Sequence, residues 1–480
     1  MLPLYLHQSH AIGKALTCHG SLALFHEPGL GKTRTALEIF ARLKTVTPDL
    51  KMLVVCPLSL IEAVWKTETE QYTSFRWCAL KRYDCAADIF VINYEAIIRA
   101  SGWRLLQESG LLSLPLFLVV DESSRLKDPR SLTSKTILAL AARCQARLVM
   151  SGTPAPNNLS ELWGQLKVVD PNSVHRSFYA FRREYFYLGR YGRTMQEPPP
   201  SRGAMAELFK QGWSWQITTA NRDRLLARAA PITSWVRKID ALHLPERITT
   251  IRHVTLSHEE RRAYTQMKQQ LVVEFQTEVV SAEIALVKLM KLRQLASGFL
   301  YGDLTHRIGT SRLNVLLETL EELGEQPIII WANFHEEIEQ IANALGEQAV
   351  TFYARTADRA ESLRRFGTEA RYLIAHPRSA GHGLTLTQAS TCIWYSLDWS
   401  LEAYSQANDR IHRIGQTRSC LYVHLIAPGL IDEQIWGVLT KKATLQEAID
   451  RILGARSGLE GQNRRLPQAA LAERVGLLSD

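Results

Sequence analysis

A glycine-rich turn near the start of the chain contains the first residues whose types and spacing could do chemistry. Residues 26–33, HEPGLGKT, separate an apolar run typical of a buried strand from a helical pattern. This context predicts a phosphate site, because glycines let backbone N–H groups point at an anion and a helix N-terminus attracts it. Lys32 would reach the β- and γ-phosphates, and Thr33 would hold Mg²⁺. The alternative is a glycine turn without a ligand, since Glu27 stands where the usual pattern has its first glycine.

Two adjacent carboxylates end a later apolar run. Residues 116–120 are apolar, and Asp121 and Glu122 follow them directly. Open parallel sheets bind ligands at the carboxyl ends of their strands, so this pair is expected beside the phosphate site. Asp121 would coordinate Mg²⁺, and Glu122 would orient and deprotonate the attacking water. In isolation, such a pair is commonly two solvated acids.

Three polar residues in the second half of the chain have helical spacing. Gln406, Arg410 and Arg413 are four and three residues apart, which predicts that they share a helical face. Two arginines on one face are ordinarily a solvated basic patch. Opposite a nucleotide bound by another domain, they would act as arginine fingers.

The elements that must position these groups follow from the hydrophobic pattern. Strand and helix patterns alternate from 21 to 153 and again from 328, where the second series has no phosphate loop. We predict an α/β protein with two doubly wound parallel-sheet lobes and a mostly helical insertion between them. The predicted boundaries are 1–168 for the ATP-binding lobe, 169–305 for the insertion and inter-lobe region, 306–445 for the second lobe and 446–480 for a tail.

Aromatic residues and arginines interleave in the insertion, between 171 and 240. Such mixing can form a nucleic-acid surface through phosphate contacts and stacking. It can equally be a small subdomain whose aromatic residues form its own core. The pattern favours neither alternative.

The composition is that of a globular protein with an anionic partner. The chain has 480 residues, of which 46% are hydrophobic, and a net charge of +9. A basic balance favours nucleic acid as the partner, although a basic enzyme without one has the same charge. The seven cysteines form no C-x-x-C pair, so we predict neither zinc nor disulfides, and a reducing compartment. Without a signal-peptide pattern or a membrane span, we expect the cytoplasm of a bacterial or phage-infected cell, or a eukaryotic nucleus.

Together these segments resemble the Swi/Snf-type ATPases of helicase superfamily two, in order and spacing as well as in residues. The strings are GLGKT at 29–33, DESSRLK at 121–127, SGTP at 151–154, LDWS at 397–400 and QANDRIHRIGQ at 406–416. The similarity extends from about residue 4 to residue 442, and the chain is compact like short phage and bacterial members. The sequence departs from the family pattern in HEP at 26–28, in Ser123 and Ser124 for Ala-His, and in Thr385 and Ser400, where Asn is common.

The resemblance implies two RecA-like lobes that grip double-stranded DNA and clamp ATP and Mg²⁺ between them. It implies that Arg410 and Arg413 reach in from the second lobe and that Gln406 contacts the phosphate end. Gln8 would read adenine. The nucleotide-binding set is then Gln8, Glu27, Pro28, Gly29, Leu30, Gly31, Lys32, Thr33 and Gly383. The residues that couple ATP hydrolysis to lobe movement would be Ser151, Gly152 and Thr153. The residues that face the DNA, here called the DNA-side residues, would include Pro57, Ser59, Asn93, Thr385 and Trp399.

We therefore expect a monomeric, DNA-stimulated ATPase that translocates on duplex DNA without reading its sequence and remodels DNA or protein–DNA complexes. One alternative is a strand-separating helicase that acts on single-stranded DNA or RNA, which would share every ATPase residue. Another is the motor subunit of a larger nuclease or defence complex. A third is a DNA-binding module with an inactive ATPase site, against which the intact Lys32, Asp121, Glu122, Arg410 and Arg413 argue.

Overall fold

The computed structural model describes residues 3–80, 86–190, 193–195, 205, 208, 213–242, 244–277, 282–301, 305–380 and 384–441. Two large sheets, each made of parallel strands, form the centres of two lobes. This confirms the predicted α/β class with two parallel-sheet lobes. The tail 446–480 and Gly383 lie outside the described residues. In the described part of the chain, no helix has both the length and the apolar character needed to cross a bilayer.

The first lobe is built on a seven-stranded sheet. In chain order, the described strands up to residue 236 are β1 Leu22–His26, β2 Lys51–Cys56, β3 Trp77–Ala79, β4 Ile89–Asn93, β5 Leu116–Asp121, β6 Ala146–Met150, β7 Phe186–Arg190, β8 Arg193–Met195, β9 Ser214–Ile217 and β10 Thr233–Val236. The large sheet has the order β10-β1-β6-β5-β2-β4-β3. The crossover connections bring the carboxyl ends of β1, β5 and β6 to one edge, as the motif positions predict.

Helices cover both faces of this sheet because its strands are apolar on both sides. Ala23 and Phe25 of β1 pack into one core cluster, and Leu22 and Leu24 pack into another. The described helices of this half are Leu6–Thr17, Lys32–Val46, Leu58–Leu60, the π-helical Ile61–Lys66, Thr67–Tyr72, Tyr94–Ile97, Ala100–Glu108, Leu132–Ala141, Leu162–Val169, Phe178–Tyr185, Thr219–Ala229 and Lys238–Ala241. Short 3₁₀ turns occur at Leu111–Ser113, Ser123–Leu126, Leu159–Glu161 and Ala230–Ile232.

The aromatic and arginine-rich segment packs against the first lobe. Phe181 and Tyr185 are buried in the same core cluster as the strands of the large sheet. The Arg182 guanidinium lies over the rings of Phe178 and Trp215, at 4.3 and 5.1 Å. These aromatic residues therefore contribute to the core of the first lobe, and not to the separate core that the subdomain alternative predicts. A nucleic-acid role for this segment stays a prediction.

The second lobe is built on a six-stranded sheet with the order β11-β18-β17-β14-β16-β15. Its half of the chain contains the described strands β11 Arg247–His253, β12 Phe299–Tyr301, β13 Thr305–Arg307, β14 Ile328–Trp331, β15 Ala349–Phe352, β16 Tyr372–Ala375, β17 Thr391–Trp394 and β18 Cys420–Ile426. The described helices are His258–Thr277, Ala282–Ala296, Ser311–Glu322, His335–Leu345, Arg359–Arg365, Pro377–Ala380, Leu401–Asn408 and 431–441, with a 3₁₀ turn at Gly346–Gln348.

Two strands of the segment 169–305 belong to the main sheets. β10 pairs in parallel with β1, and β11 pairs in parallel with β18. The chain therefore passes from the first sheet to the second through residues 237–246. Boundaries between folding units at 168 and 305 stay predictions, but the segment between them contributes a strand to each lobe.

Candidate nucleotide-binding site

The glycine-rich turn follows β1 and leads into the helix Lys32–Val46. Gly29 and Gly31 have φ values of +85° and +69°, which only glycine adopts without strain. A Cβ at position 31 would lie 2.4 Å from Gln8 Nε2, so a side chain there would displace the Gln8 amide. Lys32 Nζ donates to the His26 carbonyl at 2.9 Å. Burial lowers the pKa of Lys32, and the negative charges of Glu122 and Asp121 partly offset this shift by raising it.

Gln8 contacts the turn directly. Its Nε2 donates to the Gly31 carbonyl at 3.2 Å, and its Oε1 accepts from the Tyr5 backbone N–H at 2.9 Å. His7 Nε2 lies 3.0 Å from the Leu30 carbonyl. The first helix therefore holds this amide beside the turn, where the resemblance places a reader of adenine.

Asp121 and Glu122 lie at the end of β5. Asp121 Oδ2 accepts from Trp65 Nε1 at 3.0 Å, and Asp121 Oδ1 accepts from the Glu122 backbone N–H at 3.0 Å. Glu122 has a φ of +52°, an uncommon conformation that is characteristic of functional sites. Burial raises the pKa of both acids. The charge of Asp121 raises the pKa of Glu122 further, whereas the positive charge of Lys32 lowers the pKa of both.

The residues beside this turn fit a magnesium ion. Asp121 and Thr33 provide oxygen atoms in one cavity, and oxygen is the ligand atom that Mg²⁺ prefers. Each Asp121 oxygen accepts a hydrogen bond from a neutral N–H group and has lone pairs left for a cation. A cation there would also offset the cost of burying two neighbouring carboxylates.

The second lobe contributes Gln406, Arg410 and Arg413. Gln406 lies in the helix Leu401–Asn408, and its Nε2 donates to Glu122 Oε1 across the lobes at 3.4 Å. The prediction of one shared helical face is wrong beyond Asn408, because the helix ends there and turns follow. The turn nevertheless brings the arginines together, since both donate to the Leu384 carbonyl at 3.0 Å. Burial lowers the pKa of Arg410 to about 10, which leaves it charged at neutral pH.

A cavity of about 570 Å³ lies between the lobes, a size typical of small-molecule sites. Residues from both lobes line it, and the predicted ones among them are Gln8, Pro28, Gly29, Gly31, Lys32, Thr33, Asp121, Glu122, Thr385, Arg410 and Arg413. Three described residues of the predicted catalytic and nucleotide-binding sets do not line this cavity: Glu27, Leu30 and Gln406. The structure thus brings together most of the predicted nucleotide site.

Several lining residues were not predicted from the sequence. Arg34 lies with its guanidinium 4.6 Å from the centre of the Tyr72 ring, and Glu68 lies one helical turn before Tyr72. Burial raises the pKa of Glu68 to about 7. The spacing of Glu68 and Tyr72 by four residues was a usable signal, because such residues share a helical face.

The segment Ser151, Gly152 and Thr153 packs on the glycine-rich turn. Ser151 N–H donates to the Leu24 carbonyl of β1 at 3.1 Å. A Cβ at Gly152 would lie 2.6 Å from Pro28 Cδ. The segment therefore contacts both β1 and the turn, and its coupling role stays a prediction.

Three of the five predicted DNA-side residues lie at the carboxyl edge of the first sheet. Pro57 and Ser59 follow β2, and Asn93 ends β4. Trp399 lines a second crevice of about 300 Å³ between the lobes, together with Lys127 and Arg378. Thr385 instead lines the cavity of the nucleotide site. DNA contact by these residues stays a prediction.

Comparison with known families and proteins agrees with this geometry. Residues 7–297 match the SNF2-related domain, and residues 311–415 match the helicase conserved C-terminal domain. Protein p41 of Acyrthosiphon pisum secondary endosymbiont phage 1 is 25% identical over 88% of this chain and 92% of its own length. The SWI/SNF-related matrix-associated actin-dependent regulator of chromatin subfamily A-like protein 1 of Xenopus tropicalis is 23% identical over 91% of this chain.

Relatives differ widely in length. The chain spans only 44% of the Xenopus protein and 39% of an uncharacterized ATP-dependent helicase of Mycoplasma genitalium, which is 24% identical over 88% of this chain. Among solved structures, the Sulfolobus solfataricus SWI2/SNF2 ATPase core in complex with dsDNA aligns with a TM-score of 0.42 and 20% identity, over 96% of this chain and 98% of that one.

Proposed function

The chain belongs to the SNF2-related family and is a nucleic-acid-dependent ATPase, and we propose from this premise that it couples ATP hydrolysis to translocation on double-stranded DNA. The observation that carries the proposal is the convergence of both lobes on one cavity. A nucleotide bound there contacts Lys32 of the first lobe and the arginines of the second. Its binding and hydrolysis would therefore close and open the lobes.

Each side of the cavity supplies one part of the hydrolytic chemistry. The turn and Lys32 bind the phosphates, and Glu122 positions and deprotonates the attacking water. Arg410 and Arg413 stabilise the charge that develops on the transferred phosphoryl group. Thr33 and Asp121 would hold Mg²⁺, which supplies charge neutralisation on the phosphates when bound.

Duplex DNA is the proposed track because the protein is basic and its lobes share a second crevice. The net charge is +9, and Lys127 of the first lobe lines the same crevice as Arg378 and Trp399 of the second. Asp398 and Glu402 also line it, and Arg378 Nη2 lies 3.0 Å from Asp398 Oδ2. A DNA backbone bound there would be held by both lobes and released stepwise as they move. Such contacts go to phosphates, so binding should be independent of sequence.

Remodelling of DNA or protein–DNA complexes is the proposed outcome of this movement. The Xenopus relative supports this outcome, because its name describes a regulator of chromatin and it matches 91% of this chain. A translocating motor displaces whatever is bound ahead of it. We propose no protein partner, because the described surface identifies none.

The test is steady-state ATP hydrolysis without nucleic acid and with duplex DNA, single-stranded DNA or RNA, with Lys32→Ala as the blank. We expect the strongest stimulation by duplex DNA, steep weakening with salt, and displacement of a triplex-forming strand. Stimulation by single strands or RNA alone, together with unwinding of a forked duplex, would replace translocation with strand separation. A flat salt response would contradict phosphate-mediated binding.

A further inference from the structure

Lys238 is buried between the lobes, at the point where the chain leaves the first sheet. It follows the last strand of that sheet by two residues, and its side chain is 5% exposed. It lies in the connection 237–246 between the two sheets. A lysine is rarely buried without a specific partner, so its contacts need an explanation.

The Lys238 ammonium binds the segment that contains the arginine fingers. Nζ donates to Asp409 Oδ1 at 2.5 Å and to the His412 carbonyl at 3.0 Å. These partners flank Arg410 in sequence and precede Arg413. Two of the three ammonium donors are therefore committed to residues 409–412.

The same residue also contacts the glycine-rich turn. The Lys238 backbone N–H donates to Glu27 Oε2 at 2.8 Å, and the Glu27 N–H donates to the Val236 carbonyl at 3.0 Å. A Cβ built on Gly29 would lie 3.6 Å from both Lys238 Cε and Arg413 Cβ. Lys238 thus lies where the turn, the inter-lobe connection and the finger segment meet.

We propose that Lys238 is a positioning residue that fixes the finger segment against the glycine-rich turn. Charge-assisted bonds with little solvent access have a defined geometry, so this contact determines where Arg410 and Arg413 lie when the lobes close. Glu27 orients the lysine from the side of the turn. The inference rests on the proposed finger role of the two arginines, and it makes their placement depend on the connection between the lobes.

The first experiment compares Lys238→Met with Lys238→Arg in steady-state ATP hydrolysis with duplex DNA. Since a displacement of about 1 Å can cost roughly a hundredfold in rate, we expect kcat of Lys238→Met to fall about 10- to 100-fold. KM for ATP should stay within about threefold, because the turn and Lys32 are unchanged. Lys238→Arg keeps the charge and should recover part of kcat.

A second variant separates positioning from the cost of an unpaired charge. Lys238→Met leaves Asp409 buried without its cation, which can unfold the protein. Lys238→Met/Asp409→Asn removes both charges and should unfold near the wild-type denaturant concentration. We expect its kcat to stay low, because the contact is still missing. Wild-type kcat in a well-folded double variant would overturn the proposal.

Lys14, in the first helix, provides a matched control at the opposite end of β10 from Lys238. Its Nζ donates to the carbonyls of Ala230, in the 3₁₀ turn before β10, and Thr233, the first residue of β10, both at 2.7 Å. Lys14→Met removes a lysine with two backbone contacts and should change stability more than kcat. An equal loss of kcat in Lys14→Met and Lys238→Met would overturn a specific role for Lys238.

A double-mutant cycle tests whether Lys238 acts through a finger. In an Arg413→Lys background, Lys238→Met should lower kcat by less than it does in the wild type, because the finger is already compromised. Fully additive losses would contradict the proposal. If Arg410→Ala and Arg413→Ala keep normal turnover, the finger assignment fails instead. If those variants are inactive and Lys238→Met is normal, this inference alone fails.

Discussion

Trp65 offers a sharp test of the proposed magnesium site because its indole N–H touches a residue of that site. Trp65 Nε1 donates to Asp121 Oδ2 at 3.0 Å, and the side chain is fully buried. A π-helical turn, Ile61–Lys66, carries this residue, and such turns are frequent at functional sites. Trp65→Phe would remove the donor and keep an aromatic ring in the core.

The size of the effect follows from the hydrogen bond that is lost. A bond to a charged acceptor contributes about 1.5–3 kcal/mol. Since about 1.4 kcal/mol corresponds to a tenfold change in rate, kcat/KM at limiting Mg²⁺ should fall roughly 10- to 100-fold. High Mg²⁺ concentration should recover part of this loss, because a bound cation restrains the Asp121 carboxylate again.

The assay is ATP hydrolysis over a range of Mg²⁺ concentrations, with Trp235→Phe as the matched control. Trp235 is also buried in the first lobe, 4.6 Å from the Phe25 ring centre, and its Nε1 has no hydrogen-bond partner among the described residues. The control therefore loses the same ring volume without losing a hydrogen bond. Identical Mg²⁺ dependence in the two variants would refute the reasoning.

Three further predictions concern the same cavity. Arg413→Ala should lower kcat by about 10³ or more while ATP affinity, measured by nucleotide titration, changes little; near-normal turnover would remove this residue from the site. Glu122→Gln should bind ATP without hydrolysing it, and robust phosphate release would assign the base elsewhere. Burial raises the pKa of Glu68 from 4.5 to about 7. Between these two pH values the folded state keeps a proton that the unfolded state has released, so the free energy of unfolding falls as the pH rises. Glu68→Gln should flatten this decline in urea midpoints measured from pH 5 to 8, whereas an unchanged slope would assign the decline to other groups.

The parts of the site that the sequence could predict are those determined by local context. Lys32 follows a strand and begins a helix, and Asp121 ends a strand, so the rules of parallel sheets alone bring them to one edge. Arg410 and Arg413 are different, because their helical spacing was observed correctly but the helix ends at Asn408. Their convergence on the cavity comes from a turn that periodicity does not describe.

Contacts between distant parts of the chain explain what could not be predicted. Glu27 was expected to bind nucleotide because it lies in the turn, yet its carboxylate accepts from Lys238, 211 residues later. That contact exists because the four-residue strand β10 pairs with β1 and brings Lys238 to the start of the turn. A short strand in an aromatic and basic segment has no periodic pattern long enough to reveal its partner. Motifs therefore identify the candidate reacting groups, whereas the geometry between the lobes depends on pairings that only the folded chain reveals.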